Sequence, residues 1–195
     1  MNSTVDLILA SNSPRRQALL REAGFDFIIR TMQVNEDFGE KMKVREVAKF
    51  LSKKKNQAYR KEFPHATIIT ADTTVIQKDK VLNKPEDRSD AFQMIRSLSG
   101  TFHEVITGVT ISSPDRSFSF DEATRVYFRE LTDREIDFYI DHYQPFDKAG
   151  AYGIQEWIGM IGIEKIEGNY YNVMGLPIQK VYDVLAGRFS ITPGM

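Results

Sequence analysis

Hydroxyl and guanidinium groups stand together near the N-terminus, where residues 11–16 read Ser-Asn-Ser-Pro-Arg-Arg. Ser13 and Pro14 predict the N-cap and the first position of a helix that directly follows an apolar strand. Backbone N–H groups at a helix N-terminus favour an anion, and arginine forks suit phosphate oxygens. The segment therefore indicates phosphate binding by Ser11, Ser13 and Arg16. A serine cap followed by two solvated arginines explains the same residues equally well.

A carboxylate interrupts the second segment of interest, residues 70–74, which read Thr-Ala-Asp-Thr-Thr. Asp72 lies in a stretch that otherwise predicts a strand, where aspartate is disfavoured. Such a carboxylate usually caps a turn, binds a metal or acts as a base. Mg²⁺ is commonly held by one or two carboxylates together with substrate phosphates. Glu36 is a candidate second carboxylate, although a surface loop is the more ordinary interpretation of Glu36 alone.

Two groups of basic residues could also meet an anion. Pro85 restricts Lys84 to extended geometry, which directs its side chain, although exposed lysines are common. Residues 41–61 hold nine Lys or Arg and one acid. A basic helix face can bind polyanions but is more often simply solvated. Phe50 and Tyr59 are the aromatic residues available there for stacking on bases, so nucleic-acid binding is disfavoured.

The composition limits the kind of protein and its chemistry. The chain has 195 residues, a net charge of −1, 42% hydrophobic residues and no cysteine. These values predict a single globular domain over 1–195 and exclude disulfides, a thiolate nucleophile and cysteine zinc sites. The three histidines lack metal-ligand spacing. We find no signal peptide and no apolar run of about 20 residues, which predicts a cytoplasmic protein with no membrane partner.

Helices and strands alternate along the chain, and several strands come in hairpins, which predicts an α/β fold with a mixed sheet and flanking helices. The predicted strands are 7–10, 25–29, 67–77, 80–82, 102–112, 117–130 and segments around 151–166. The predicted helices run from Ser13 to Gly24, from Val44 towards Tyr59, around 91–98, from the Thr132/Glu135 capping box to about Tyr143, and from Pro177 onward.

Taken together, these segments resemble the Maf family, the septum-formation-inhibitor-like nucleotide pyrophosphatases. The resemblance runs from Leu9 to about Leu185 and rests on six ordered motifs: 10–16, 71–73, 83–85, 98–109 (Leu-Ser-Gly, His103 and Thr-Gly-Val), 147–155 and 171–177. The sequence departs from the family pattern at Asn12 and Asn83, where glycine is usual, and neither position touches the proposed chemistry.

The resemblance implies a two-lobed fold like that of inosine triphosphate pyrophosphatases, with a cleft between the lobes, and a homodimer as a further expectation. It implies hydrolysis of nucleoside triphosphates to the monophosphate and pyrophosphate with a divalent cation, Mg²⁺ or Mn²⁺. Asp72 matches the family's proton acceptor. The residues that mark the branch acting on dTTP and UTP match Arg15, Thr73 and Gln155. The family's lysine in the basic helix matches Lys55 best, although Lys53 and Lys54 leave the register open.

A mechanism follows as a hypothesis. Phosphates would be bound by the segment 11–16, Lys55 and Lys84, and the metal by Glu36 and Asp72. Asp72 would deprotonate a water, while Thr73 and Gln155 read the ring edge of uracil or thymine. Two alternatives stay open, a nucleotide-binding regulator of cell division that hydrolyses nothing and a nucleic-acid binder that uses residues 41–61.

Overall fold

A computed structural model describes residues 6–39 and 41–194 of the chain. The strands are β1 (Leu7–Leu9), β2 (Ile28–Ile29), β3 (Thr67–Gln77), β4 (Lys80–Leu82), β5 (Phe102–Ser112), β6 (Ser117–Phe128) and β7 (Ile163–Glu167). The helices are α1 (Pro14–Glu22), α2 (Val47–Glu62), α3 (Arg88–Leu98), α4 (Asp133–Tyr143), α5 (Trp157–Gly162), α6 (Tyr170–Val173) and α7 (Ile178–Phe189).

The seven strands form one mixed sheet in the order β2-β1-β3-β5-β6-β7, with β4 paired to β3. β1 is parallel to β2 and to β3, and Ile8 lies opposite both Ile28 and Ile68. β4 is antiparallel to β3, and β7 is antiparallel to β6. β1 is a continuous apolar run because a parallel central strand is covered on both faces. The predicted α/β fold with a mixed sheet and flanking helices is confirmed.

Local signals predicted several elements correctly. The hairpin of β3 and β4 turns at Lys78 and Asp79, whose φ angles of 48° and 60° are those of a two-residue turn that matches strand twist. At the start of α4, the Thr132 side chain accepts a hydrogen bond from Glu135 N, and the Glu135 side chain bonds back to the Thr132 backbone. Capping signals act within one turn of helix, so they are visible in the sequence itself.

The prediction of strand around 151–166 is wrong for most of that segment. Residues 157–162 form helix α5, and β7 begins only at Ile163. The β-rich composition is overridden by a close contact, because a Cβ at Gly159 would lie 1.9 Å from the carbonyl oxygen of Ile154. Glycine therefore allows the helix to pack directly on the preceding turn. β2 is also shorter than predicted, since 25–27 is not strand.

The chain divides into two compact units, each assembled from separate stretches. The first unit comprises the described parts of 1–72, 107–122 and 175–195, and Ile8, Tyr59 and Ile68 belong to one of its buried clusters. The second unit comprises 73–106 and 123–174, and its core includes Ile95 and Tyr139. Within the described ranges, no helix combines the length and apolar character needed to cross a bilayer.

Candidate active site

The N-terminal hydroxyl segment folds as the capping signal predicts. The Ser13 side chain caps α1 by accepting a hydrogen bond from Arg16 N. Ser11, which is buried, accepts a hydrogen bond from Ser13 N at its Oγ, 3.2 Å away. The Gln17 side-chain amide donates to Ser11 O over 3.0 Å, which fixes the backbone between β1 and α1. Both serine hydroxyls therefore lie at the N-terminus of a nine-residue helix.

The guanidinium of Arg16 braces two backbone segments. Its Nη1 donates to the carbonyl oxygen of Ala71 over 3.0 Å, and its Nε donates to the carbonyl oxygen of Gly175 over 2.7 Å. Burial lowers the pKa of Arg16 from its usual value, while the charge of Asp72 opposes that shift. Arg16 thus ties the first turn of α1 to β3 and to the segment that precedes α7. The sequence predicted a phosphate-binding role for Arg16 but did not indicate this brace.

The cationic side chain of Lys55 lies between two carboxylates, those of Asp72 and Glu36. The ammonium group of Lys55 donates a hydrogen bond to Asp72 Oδ1 over 2.6 Å and lies 2.9 Å from Glu36 Oε1. The side chains of Asp72 and Lys55 are 11% and 16% exposed, whereas that of Glu36 is 60% exposed. The structure therefore brings together three residues that the sequence could only nominate one by one.

The environment of Asp72 sets its proton affinity. Burial raises the pKa of the Asp72 carboxyl above its ordinary value, and the neighbouring Glu36 charge adds to that rise. The cations Lys55 and Arg16 act in the opposite direction. Burial dominates, so Asp72 is a stronger base than an exposed aspartate.

Close packing of α2 on the sheet places Lys55 at this point. A Cβ at Gly108 in β5 would lie 2.3 Å from the backbone nitrogen of Lys49, so glycine lets helix and strand backbones approach closely. Buried hydroxyls join the two layers, with Ser52 Oγ 2.9 Å from Thr110 Oγ1, and Thr70 Oγ1 donating to Ser52 O over 2.8 Å. Gly108 was visible in the sequence as part of a motif, but its role was not.

The structure also distinguishes the three consecutive lysines of α2. Lys53 is exposed, and Lys54 donates to the carbonyl oxygen of Asp37 over 2.9 Å. Within the described residues, Lys55 is the one of these three lysines that forms an ion pair with Asp72. The choice of Lys55 over its neighbours, which the sequence left open, is therefore supported by geometry.

Arg15 lies in the first turn of α1 in the first unit, and three further candidate residues lie in the second unit. Thr73 follows Asp72 along β3 and is half-buried. Lys84 is exposed, between the buried Pro85 and Asn83, whose carbonyl oxygen accepts a hydrogen bond from Gly150 N over 3.1 Å. Gln155 lies in a turn before α5, and its buried side-chain oxygen has no hydrogen-bond partner within the described residues.

The donor set around Asp72 fits a hard divalent cation. Two carboxylates, those of Asp72 and Glu36, already converge on one positive centre, the ammonium of Lys55. Within 6–39 and 41–194, no group of three or more His, Asp or Glu side chains could hold a metal ion alone. Mg²⁺ commonly takes one or two carboxylates and completes its shell with water and substrate phosphates.

Comparison with known proteins identifies the family of the chain. The family model described as Maf-like protein matches residues 6–188. The chain belongs to the Maf family. A relative from Cytophaga hutchinsonii, named dTTP/UTP pyrophosphatase, is 49% identical over 95% of this chain and 85% of its own. A Bacteroides thetaiotaomicron protein of the same name is 49% identical over 92% of this chain and 94% of its own.

Solved structures similar to this Maf chain are more distant in sequence. The Staphylococcus aureus Ham1 protein aligns with 66% of this chain and 72% of its own, with a TM-score of 0.45 at 12% identity. A nucleoside-triphosphatase, also named dITP/XTP pyrophosphatase, from Mycobacterium abscessus aligns with 64% of this chain and 74% of its own, with a TM-score of 0.42 at 10% identity.

A buried ion pair in the Maf chain was missed by the sequence analysis. Lys148 is 7% exposed, and its ammonium lies 2.6 Å from Asp147 Oδ1 and 3.2 Å from Glu156 Oε1. Tyr139, which is fully buried, donates its hydroxyl hydrogen bond to the other oxygen of Glu156. The motif 147–155 contained Lys148, but nothing in a motif shows that a lysine is buried.

Proposed function

We propose that this chain is a nucleoside triphosphate pyrophosphatase that hydrolyses dTTP and UTP to the monophosphate and diphosphate. The observation that carries the proposal is the convergence of the buried Asp72 with Lys55 and the exposed Glu36. In this cluster Asp72 is a base of raised pKa, Asp72 and Glu36 are carboxylates suited to a metal ion, and Lys55 is a cation suited to phosphate. The names of the relatives from Cytophaga hutchinsonii and Bacteroides thetaiotaomicron support the same substrate class.

Asp72 is the proton acceptor in this proposal. Its carboxylate takes a proton from a water molecule, and the water oxygen forms a bond to the α-phosphorus. The bond between that phosphorus and the bridging oxygen breaks, and its electron pair leaves with pyrophosphate. A base whose pKa is raised by burial retains the proton more readily during this step, which favours transfer from water.

Positive groups and N–H donors of this chain bind the triphosphate. Ser11, Ser13 and the α1 N-terminus offer donors to an anion, and Arg16, Lys55 and Lys84 offer charge. Arg16 has a second role, since its bonds to Ala71 and Gly175 hold the segment in place. Glu36 and Asp72 would hold a divalent cation, Mg²⁺ or Mn²⁺. When bound, such an ion neutralises charge on phosphate oxygens.

Recognition of the base is assigned to Arg15, Thr73 and Gln155, the three residues that the Maf resemblance marks for dTTP and UTP. A hydroxyl and an amide can read the oxygen and N–H edge of uracil or thymine. The unpartnered oxygen of Gln155 supports this assignment, because a buried acceptor without a donor is costly unless a ligand supplies one. A cytoplasmic location and a homodimer stay predictions.

A panel of triphosphates incubated with Mg²⁺ or Mn²⁺ and assayed for pyrophosphate tests the proposal. We expect turnover of UTP and dTTP above CTP, ATP and GTP. The Asp72→Asn variant should lower kcat by about 10²–10⁴-fold, as loss of a general base does, while UTP affinity measured by calorimetry changes little. Asp79→Asn in the exposed hairpin turn is the matched control. Full activity of Asp72→Asn would exclude the base role.

The alternatives predict different results. A nucleotide-binding regulator would bind UTP and release no pyrophosphate under any condition of the panel. A nucleic-acid binder would shift an oligonucleotide with strong salt dependence. The structure disfavours the latter, because Lys49, Lys54 and Lys55 of the basic segment already contact oxygen atoms of this protein, and Tyr59 is buried.

A further inference from the structure

Gln155 stands in a tight turn whose two ends are bonded to each other. The turn comprises residues 153–156, and Glu156 N donates a hydrogen bond to Gly153 O over 3.0 Å. Ile154 and Gln155 are its two central residues, and Ile154 is 5% exposed. With the Ile154 side chain buried in the core of the second unit, the orientation of the turn decides where Gln155 points.

One hydroxyl group contacts both ends of this turn. Tyr139 OH accepts a hydrogen bond from Gly153 N over 3.0 Å and donates one to a carboxylate oxygen of Glu156. Tyr139 comes from the middle of α4 and is 0% exposed. A buried phenol with both its donor and its acceptor used by one turn is a clamp on that turn rather than a space-filling side chain.

The charge of Glu156 has a buried partner. The ammonium of Lys148 lies 3.2 Å from Glu156 Oε1, and the two side chains are 9% and 18% exposed. A buried carboxylate without a cation is strongly unfavourable, so Lys148 permits Glu156 to serve as the anionic acceptor of the tyrosine. Asp147, which is 60% exposed at its side chain, is the outer partner of the same ammonium.

The turn is closely packed at two glycines. A Cβ at Gly153 would lie 2.8 Å from the carboxyl carbon of Glu156, and a Cβ at Gly159 would overlap the carbonyl oxygen of Ile154. The turn is therefore confined on one side by its own carboxylate and on the other by α5. Because the Tyr139 hydroxyl holds this turn, it also holds the Gln155 side chain that the turn carries.

The atom positioned in this way has a defined chemical use. Gln155 Oε1 is buried and has no partner in the described part of the chain. An amide oxygen accepts a hydrogen bond from the N3–H of uracil or thymine, whereas N3 of neutral cytosine is itself an acceptor. A site built to accept that proton rejects a base that lacks it, because the two acceptors then face each other.

We propose that Tyr139, with Glu156 and Lys148, is a positioning residue that sets the preference for uracil and thymine over cytosine by holding the turn of Gln155. The proposal rests on the proposed function only for the role of Gln155 in reading the base. In this proposal Tyr139 acts through Gln155 and takes no part in phosphate binding or in proton transfer. Its loss should therefore weaken discrimination between bases without slowing the chemical step.

The test compares Tyr139→Phe with Tyr143→Phe, a second tyrosine of α4 that is exposed and whose ring stacks on that of Tyr139. The quantity measured is the ratio of kcat/KM for UTP to that for CTP. We expect Tyr139→Phe to lower this ratio about tenfold, the equivalent of one hydrogen bond of about 1.4 kcal/mol, through a higher KM for UTP. The kcat for UTP should stay near the wild-type value, and Tyr143→Phe should match wild type in both.

A double variant separates positioning from general destabilisation. Once Gln155→Ala has removed the acceptor, adding Tyr139→Phe should cause no further loss of the ratio, whereas independent effects would add. If Tyr139→Phe does not fold, Glu156→Gln provides the same measurement, since the amide keeps the shape and loses the charge paired with Lys148. An unchanged ratio in the folded variant, or an equal loss of kcat for UTP and CTP, would overturn the proposal.

Failure of the proposed function gives a different pattern. If the wild-type chain releases no pyrophosphate, the same ratio is read from calorimetric Kd values for UTP and CTP. A binding preference that falls in Tyr139→Phe would then support the positioning role while the hydrolase assignment fails. A wild-type chain that neither turns over nor binds UTP better than CTP overturns the positioning role directly.

Discussion

The ammonium group of Lys55 lies 2.6 Å from Asp72 Oδ1, and both side chains are largely buried. One residue on α2 therefore lowers the pKa of the candidate base on β3, against the larger opposing effect of burial. The same ammonium lies 2.9 Å from the exposed Glu36, so a single cation links the base to a second carboxylate. A change at Lys55 is expected to alter catalysis through Asp72 as well as through lost contact with phosphate.

Replacing Lys55 by methionine should move the pH dependence of activity. Lys55 lowers the pKa of Asp72 against the opposing effect of burial, so its removal raises that pKa further. Asp72 accepts a proton only when it is ionised, and the acid side of the kcat/KM profile should therefore shift to higher pH. At neutral pH we expect a loss of about tenfold or more, the worth of a charged hydrogen bond. Profiles from pH 5 to 9 measure this, with the exposed Lys53→Met as control.

Arg16→Lys should separate the brace from the charge. Lysine keeps the positive charge but lacks the fork that reaches Ala71 O and Gly175 O together. Leaving these carbonyls without their donor should lower the free energy of unfolding by about 1–3 kcal/mol in urea titrations. Arg21→Lys, at the exposed end of the same helix, should cost little. Equal stability of both variants would show that Arg16 braces nothing.

Two glycine substitutions should change the free energy of unfolding in opposite directions. In Gly108→Ala the new Cβ would lie 2.3 Å from backbone atoms of α2, so the helix must move off the sheet. We expect at least about 3 kcal/mol of destabilisation and, because Lys55 is on that helix, reduced activity. In Gly187→Ala nothing lies within 4 Å of the new Cβ inside α7, and stability should rise by about 0.5–1 kcal/mol. Thermal and urea unfolding measure both variants.

His103 should make the fold sensitive to acid. Burial lowers its pKa from 6.5 to about 3, and its Nε2 lies 2.7 Å from Tyr152 OH. Between these pH values the unfolded chain takes up a proton that the native protein does not, so stability falls as pH falls below about 6.5. At pH 5 this one group should cost about 2 kcal/mol relative to pH 7.5.

Urea unfolding at several pH values measures the effect of His103. His103→Gln should have a lower free energy of unfolding than wild type at pH 7.5. Between pH 7 and 5, however, its free energy of unfolding should fall by much less than that of wild type. The exposed His142→Gln should keep the wild-type slope. If the free energy of unfolding of His103→Gln fell with pH as steeply as that of wild type, the acid sensitivity would belong to other groups.

Much of the secondary structure could be predicted because its signals are local. The capping box at Thr132, the serine cap at Ser13 and the turn at 78–79 each act within about four residues, and each element stands where its signal placed it. The segment 151–162 could not be predicted in this way. Its residue types favour strand, but the contact of Gly159 with Ile154 selects a helix, and that contact depends on packing.

The candidate site was predictable as a set of residue types and not as a geometry. Asp72 was identifiable because a carboxylate is unusual within a strand, and the motif resemblance supported it. Glu36 was indistinguishable from a surface loop acid, and Lys55 from Lys53 and Lys54, until the ion pairs were seen. Nothing local marked Tyr139, whose pattern is that of an ordinary core position on an amphipathic helix.

The sequence by itself determined the alternation of helices and strands, the capped start of α1 and the chemistry available at Asp72, because these depend on neighbouring residues and on side-chain type. Only the tertiary structure decided which lysine meets Asp72, that Arg16 braces two carbonyls, and that Tyr139 holds the turn of Gln155. Those contacts join residues far apart in the chain, and their pairing is set by how helices pack on the sheet.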